Sequence, residues 1–153
     1  MATFRDARLT GFVALLKAEG RRAVLGLDCG RGADGLAFVQ AGIHFTGVDS
    51  SEENVQAARA RGLEASVAQA SSLPFASAAF PAVWAVDALA GLPPAECVGV
   101  IAELGRVAGP GSPIAVVLAE SRSQDPHGVA GVLHDHATER FTVLRSPGPD
   151  GPA

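Results

Sequence analysis

The chain has 153 residues, 48% hydrophobic and 18% charged, with a formal net charge of −4. That length and composition fit one domain with a buried core and exclude intrinsic disorder. Without a block of Lys or Arg there is no basic face for nucleic acid, and no apolar run reaches the ~20 residues that span a bilayer.

The predicted elements alternate between helix and strand. "LTGFVALLKAE" (9–19) reads as an amphipathic helix, and "GRR" turns the chain. "AVLGLD" (23–28) is a short apolar run suited to a strand buried on both faces. "ADGLAFVQAG" (33–42) is a helix closed by Gly42, and "IHFTGVD" (43–49) is the second strand. "SSEENVQAARARG" (50–62) is a helix that a Ser50–Glu53 capping box opens and Gly62 ends, with Arg59 and Arg61 at an exposed end. "LEASVAQA" (63–70) is the third strand, "SSLPFASAAF" (71–80) a loop, and "AVWAVDAL" (82–89) the fourth strand. "PPAECVGVIAELGRVAG" (93–109) starts on prolines and repeats apolar residues at helical spacing. "PIAVVLAE" (113–120) is the fifth strand, "HGVAGVLHDHA" a short helix, and "RFTVLR" (140–145) a sixth strand.

The alternation implies an open parallel sheet of order 3-2-1-4-5, any sixth strand beyond, and helices on both faces. Residues 1–145 form one domain, and the Pro/Gly-rich 146–153 a disordered tail. Cys29 and Cys97 make no CxxC pair, so two reduced thiols in a cytoplasmic protein are expected, and the N-terminus shows no signal-peptide apolar core.

Gly30, Gly32 and Gly35 spell GxGxxG between the first strand and its helix, and Asp49 ends the next strand nineteen positions after Gly30. Glycines let the backbone approach a ligand, a helix N-terminus favours negative charge, and an acid at a strand tip accepts ribose hydroxyls. A plain glycine turn with a helix-capping Asp49 is the structural alternative. A nicotinamide-dinucleotide domain is another reading that the glycines permit, although the chain has no room for a catalytic domain beside it.

Over residues 20–120 the chain resembles the class I S-adenosyl-methionine-dependent methyltransferases, in the small-molecule group with an "LPF" loop. "VLGLDCGRG" (24–32) is similar to that family's "VLDLGCGTG". Asp49 in "GVDSS" stands at its ribose acid, "QASSLPF" (69–75) resembles its "DAxxLPF" loop, and "LGRVAGPGSPIAVV" its "RVLKPGG" helix, turn and strand. The resemblance implies a Rossmann-like, doubly wound α/β fold, C-terminally shortened because only 33 residues follow Glu120. It implies S-adenosyl-methionine as cofactor and a small-molecule methyl acceptor, with no nucleic-acid or membrane partner. Asp28, Cys29, Gly30, Gly32, Asp49, Ser50, Gln69 and Ala70 are the implied cofactor-binding positions. Asp28 would face the methionine amino group, Asp49 would hold the ribose, and Gln69 with Ala70 would border the adenine.

Four departures accompany it. The family's acid and glycine are exchanged at Gly26 and Asp28, Gln69 replaces an acid, Pro81 stands where an aspartate is usual, and the C-terminus is short. Residues two apart in a strand share a face, so Asp28 is expected to reach the region an acid at 26 would serve. A misplaced charge there is expected to weaken cofactor binding, and the double exchange Gly26→Asp with Asp28→Gly to restore it. Asp49→Ala is expected to weaken cofactor binding while leaving the free protein's melting temperature nearly unchanged. A catalytically inactive relative that kept the fold is the alternative function.

Asp87, near the fourth strand's end, is the one weak candidate for a catalytic or substrate contact. No metal site is expected, because His134-Asp135-His136 lacks a third ligand at a recognisable spacing. His44 reads as a partly buried strand histidine and Trp84 as core. Cys29 has no local base to make it a nucleophile.

Overall fold

The computed structural model describes residues 4–86, 88–119 and 139–147. Helix α1, Phe4–Ala18, buries Leu9, Phe12, Val13 and Leu16, a spacing that places them on one stripe. Gly20, with φ 70, ends it in a left-handed turn. Strands β1 (Ala23–Leu27), β2 (His44–Asp49), β3 (Glu64–Val67) and β4 (Val83–Ala85) alternate with helices α2 (Ala33–Gln40) and α3 (Glu52–Ala60), and helix α4 (Pro94–Val107) leads into β5 (Pro113–Ala119) and β6 (Glu139–Arg145).

The six strands form one sheet of order β3-β2-β1-β4-β5-β6. The first five are parallel, as the helix-linked alternation requires, and β6 runs antiparallel beside β5. Strand side chains alternate between faces and so divide the core in two. Val24, Phe45, Ala65, Trp84 and Ala115 pack on one face with residues of α1, α2 and α3. Leu25, Leu27, Val48, Val83, Ala85 and Val116 pack on the other against Val100, Leu104 and Val107 of α4.

Several predicted boundaries shift. β1 stops at Leu27, because Asp28 turns left-handed with φ 50. β4 is only three residues long. The apolar run continues past it as turns that bury Ala88 and Leu89. Burial needs apolar side chains in either conformation, so composition did not separate the two. α3 begins one residue later than the Ser50–Glu53 capping box implies: Ser51 is the N-cap and its hydroxyl accepts from the Asn54 N–H at 3.2 Å. His44 is exposed, with its ring 3.5 Å from Glu64, rather than partly buried. Trp84 is core, and its indole N–H donates to Asp34 at 3.0 Å.

Pro81 precedes β4, where its missing N–H costs no ladder bond, and its carbonyl accepts from Arg21 at 3.1 Å. Ser146, assigned by sequence to a mobile tail, is buried. Its hydroxyl donates to the Gly105 and Ala108 carbonyls at 2.8 and 3.1 Å. Residues 148–153 of the tail, the short helix expected before β6, His134-Asp135-His136 and Asp87 lie outside the described residues.

Candidate functional site

In the order β3-β2-β1-β4-β5 the chain reverses direction across the sheet between β1 and β4, and ligands of open α/β sheets bind where that happens, beyond the strands' C-terminal ends. The loop leaving β1 occupies that place. Its Cys29 N–H donates to the Val48 carbonyl at 3.0 Å, which ties it to β2. Gly30 (φ 56) and Gly32 (φ 102) both take left-handed conformations that cost a side chain strain. Gly32 is also crowded, because a carbon built on it would sit 2.6 Å from the end of the Leu63 side chain, which would have to move. At Gly30 no atom comes within 4 Å of that position, so the loop presents bare backbone to open space there.

Asp49 holds this loop. Its carboxylate, 7% exposed, accepts from the Gly30 N–H at 2.9 Å, from the Ser51 N–H at 2.9 Å and from the Asn54 side-chain amide at 3.3 Å. The bond to Ser51 closes a turn on Asp49's own side chain, and this turn displaces the helix start from Ser50 to Ser51. Ser50 itself is exposed. A carboxylate offers about four acceptor positions, so Asp49 keeps capacity for a ligand hydroxyl while stapling the loop. These bonds within the chain count against the expectation that Asp49→Ala leaves the free protein's melting temperature nearly unchanged.

Asp28 is exposed and lies past the strand. The alternation rule that placed its side chain with position 26 therefore stops one residue short of it. Cys29 is half-buried, and burial followed by the nearby Asp49 charge pushes its thiol up to about 11, so it is protonated at neutral pH and not a nucleophile.

The Ala68 N–H donates to the Asp49 carbonyl at 3.1 Å, and a turn closed by Ser72 N–H to Gln69 carbonyl, 3.0 Å, follows at once. Exposed Gln69 and half-buried Ala70 are thus delivered beside the β2 tip. The far side of this loop is clamped by a pair that sequence reasoning missed. Glu103 accepts from the Leu73 N–H at 2.6 Å, and Arg106 donates to the Phe75 and Leu73 carbonyls at 2.8 and 3.1 Å. The two side chains also bond to each other at 2.6 Å. Each stabilises the other's charge, which holds the Glu103 carboxyl below its usual range and raises the Arg106 guanidinium. The i, i+3 spacing of Glu and Arg in "ELGR" is the one signal that hinted at them.

Among the described residues no group of His, Cys, Asp or Glu is arranged to hold a metal ion. A separate apolar cleft of about 400 Å3 opens between α1 and β6, lined by Phe12, Leu15, Phe141 and Val143 with Arg8 at its side, away from the glycine loop.

The chain is similar to known proteins that include S-adenosyl-methionine-dependent methyltransferases. A family model described as a methyltransferase domain matches residues 24–111. A SAM-dependent methyltransferase from Methanosarcina mazei is 25% identical with a TM-score of 0.63, over 76% of this chain and 61% of its own. The [4+2]-cyclase SpnF is 32% identical with a TM-score of 0.63, over 75% of this chain and 45% of its own. A structure concerned with conversion of a disulfide bond into a thioacetal group during echinomycin biosynthesis is 27% identical with a TM-score of 0.61, over 72% of this chain and 50% of its own. The chain therefore spans roughly half the length of these matches. Because the family match runs from the glycine loop through the second-strand acid to the turn after α4, the chain belongs to the class I S-adenosyl-methionine-dependent methyltransferases.

Proposed function

We propose that the chain binds S-adenosyl-methionine at the β1–β2 tip and transfers its methyl group to a small-molecule acceptor. One observation carries the reading: the Asp49 carboxylate meets the Gly30 N–H at 2.9 Å across nineteen positions, which joins the ribose-type acid to the glycine loop. The donor set fits a nucleoside. Asp49 has an acceptor position left for a ribose hydroxyl, and Gly30 opens onto space where Gly32 is crowded by Leu63. The Gln69 amide offers an acceptor to the adenine amino group, with Ala70 against the ring. Asp28 offers a carboxylate to the ammonium of the methionine end. The bound cofactor supplies a methyl group on a sulfonium, a good leaving group that needs alignment more than acid–base help. The chain's own contribution is to bind and orient, and the Cys29 thiol in the loop stays protonated at neutral pH.

A second reading, cofactor binding without methyl transfer, is favoured by Asp28 in the left-handed place of the family's glycine. A SpnF-like chemistry on the same fold belongs with it. Calorimetric titration with S-adenosyl-methionine, S-adenosyl-homocysteine and NAD tests the cofactor. Binding of the first two and not the third is expected, and binding of NAD alone overturns the proposal. Labelled-methyl transfer to a panel of small oxygen, nitrogen and carbon acceptors then separates the two readings. Transfer to none of them, with the cofactor bound, favours the second.

A further inference from the structure

Three glycines enclose one aromatic ring directly beneath the glycine loop. A side-chain carbon built at Gly26 would lie 2.4 Å from the Phe45 ring, one at Gly35 2.7 Å and one at Gly47 2.8 Å. Bonded frameworks do not pack that closely, so β1, α2 and β2 each keep glycine while position 45 carries phenylalanine. The ring has no easy exit. Phe45 is buried, and it stacks on Phe38 with centroids 6.0 Å apart and planes 16° from parallel.

Position 26 is where the "VLDLGCGTG" pattern carries its acid. An aspartate there would place its first side-chain carbon 2.4 Å from the edge of the Phe45 ring, so the ring would have to shift. The carboxylate of this chain's loop stands two positions later, at Asp28, exposed and left-handed. The Gly26/Asp28 exchange and Phe45 are therefore one coupled feature rather than a random loss of motif.

We infer that Phe45 is a positioning residue: by closing position 26 it transfers to Asp28 the carboxylate that meets the ligand's ammonium, an inference that rests on the cofactor reading above. An exposed carboxylate also repels the ligand's own carboxylate less than one in a dry pocket, because water screens it.

The test compares S-adenosyl-homocysteine with 5′-methylthioadenosine, which keeps the nucleoside and thioether but lacks the ammonium and carboxylate. The ratio of their affinities isolates the amino-acid end and is insensitive to general loss of stability. Asp28→Asn is expected to lower that ratio at least tenfold and to leave methylthioadenosine affinity within twofold. The pair Gly26→Asp with Asp28→Gly, with Phe45 in place, is expected to lose the preference and to melt lower, the reverse of the gain expected from the sequence, because the new side chain meets the Phe45 ring. Adding Phe45→Ala to that pair is expected to restore it. An Asp28→Asn ratio at or above the wild-type ratio overturns the inference, as does a Gly26→Asp, Asp28→Gly pair that binds like wild type. Wild-type protein that binds neither ligand overturns the cofactor reading itself, and the inference with it.

Discussion

Asp49 is asked to do two things with one carboxylate. It holds the Gly30 and Ser51 N–H groups at 2.9 Å and the Asn54 amide at 3.3 Å before any ligand arrives. Asp49→Ala leaves those donors without a partner in a site where Asp49 is 7% exposed, so the free protein should lose about 2–3 kcal/mol in urea unfolding. Asp49→Asn keeps one carbonyl oxygen and should lose about half as much. Equal stability of wild type and Asp49→Ala would show that water replaces the carboxylate without cost. Gly26→Ala belongs to the same scale. Its added carbon meets the Phe45 ring at 2.4 Å, and overpacking of this kind costs about 1–3 kcal/mol. The denaturation midpoint should fall accordingly, and Phe45→Leu should recover part of the loss. Asp49 was legible from its place in the sequence. The Phe45 contact was not, because it joins three segments that only the folded sheet brings together.

At the level of elements, the loop between β3 and β4 lacks regular structure of its own and depends on α4. Glu103 takes the Leu73 N–H, Arg106 the Leu73 and Phe75 carbonyls, and the Arg106 and Val107 carbonyls accept the Ala78 and Phe80 N–H groups. Phe75 and Phe80 pack edge to face with centroids 4.9 Å apart. Arg106→Ala removes the guanidinium that orders two carbonyls and neutralises Glu103, a charge-assisted set worth about 1.5–3 kcal/mol per bond at the upper end. Amide hydrogen exchange at Leu73 should accelerate at least tenfold in that variant, while exchange in β1 and β5 stays near wild type. Uniform acceleration across the sheet would mean that the pair supports the whole fold rather than the loop. The loop itself was readable from its Ser, Pro and Ala content. Its partner was not, since thirty positions separate Leu73 from Glu103.

Across the whole molecule, α1 is fastened to the far edge of the sheet. Glu19, just after α1, accepts from Arg145 at the end of β6 at 2.6 and 2.8 Å and from Arg21 at 2.8 Å, contacts 126 and 2 positions apart in sequence. Hydrogen bonds from Arg145 and then Arg21 lower its carboxyl to about 2, from an ordinary 4.5. A carboxyl lowered on folding contributes stability that is complete above about 4.5 and is lost as pH falls through about 2. Stability should therefore decline over that acid range in wild type, and Glu19→Gln should flatten the decline and leave the curve above pH 5 parallel. A variant curve with the wild-type acid slope would assign the decline to other carboxylates. Because the pair is exposed, added salt should also narrow the difference.

The residue order by itself determined the alternation of strands and helices, the sheet order that follows from it, the glycine loop and the acid at the second strand's tip. These rest on local periodicity and on motifs that sit within a few residues of one another, and such signals survive without knowing what packs on what. Tertiary structure alone decided where strands stop and turns begin in the apolar run after Ala85, why Ser51 rather than Ser50 caps α3, and why Asp28 is no longer part of β1. It also decided what a side chain at position 26 would meet, a ring from the neighbouring strand. A side chain's neighbours across a sheet are set by register and layer packing, which no stretch of one chain read alone contains.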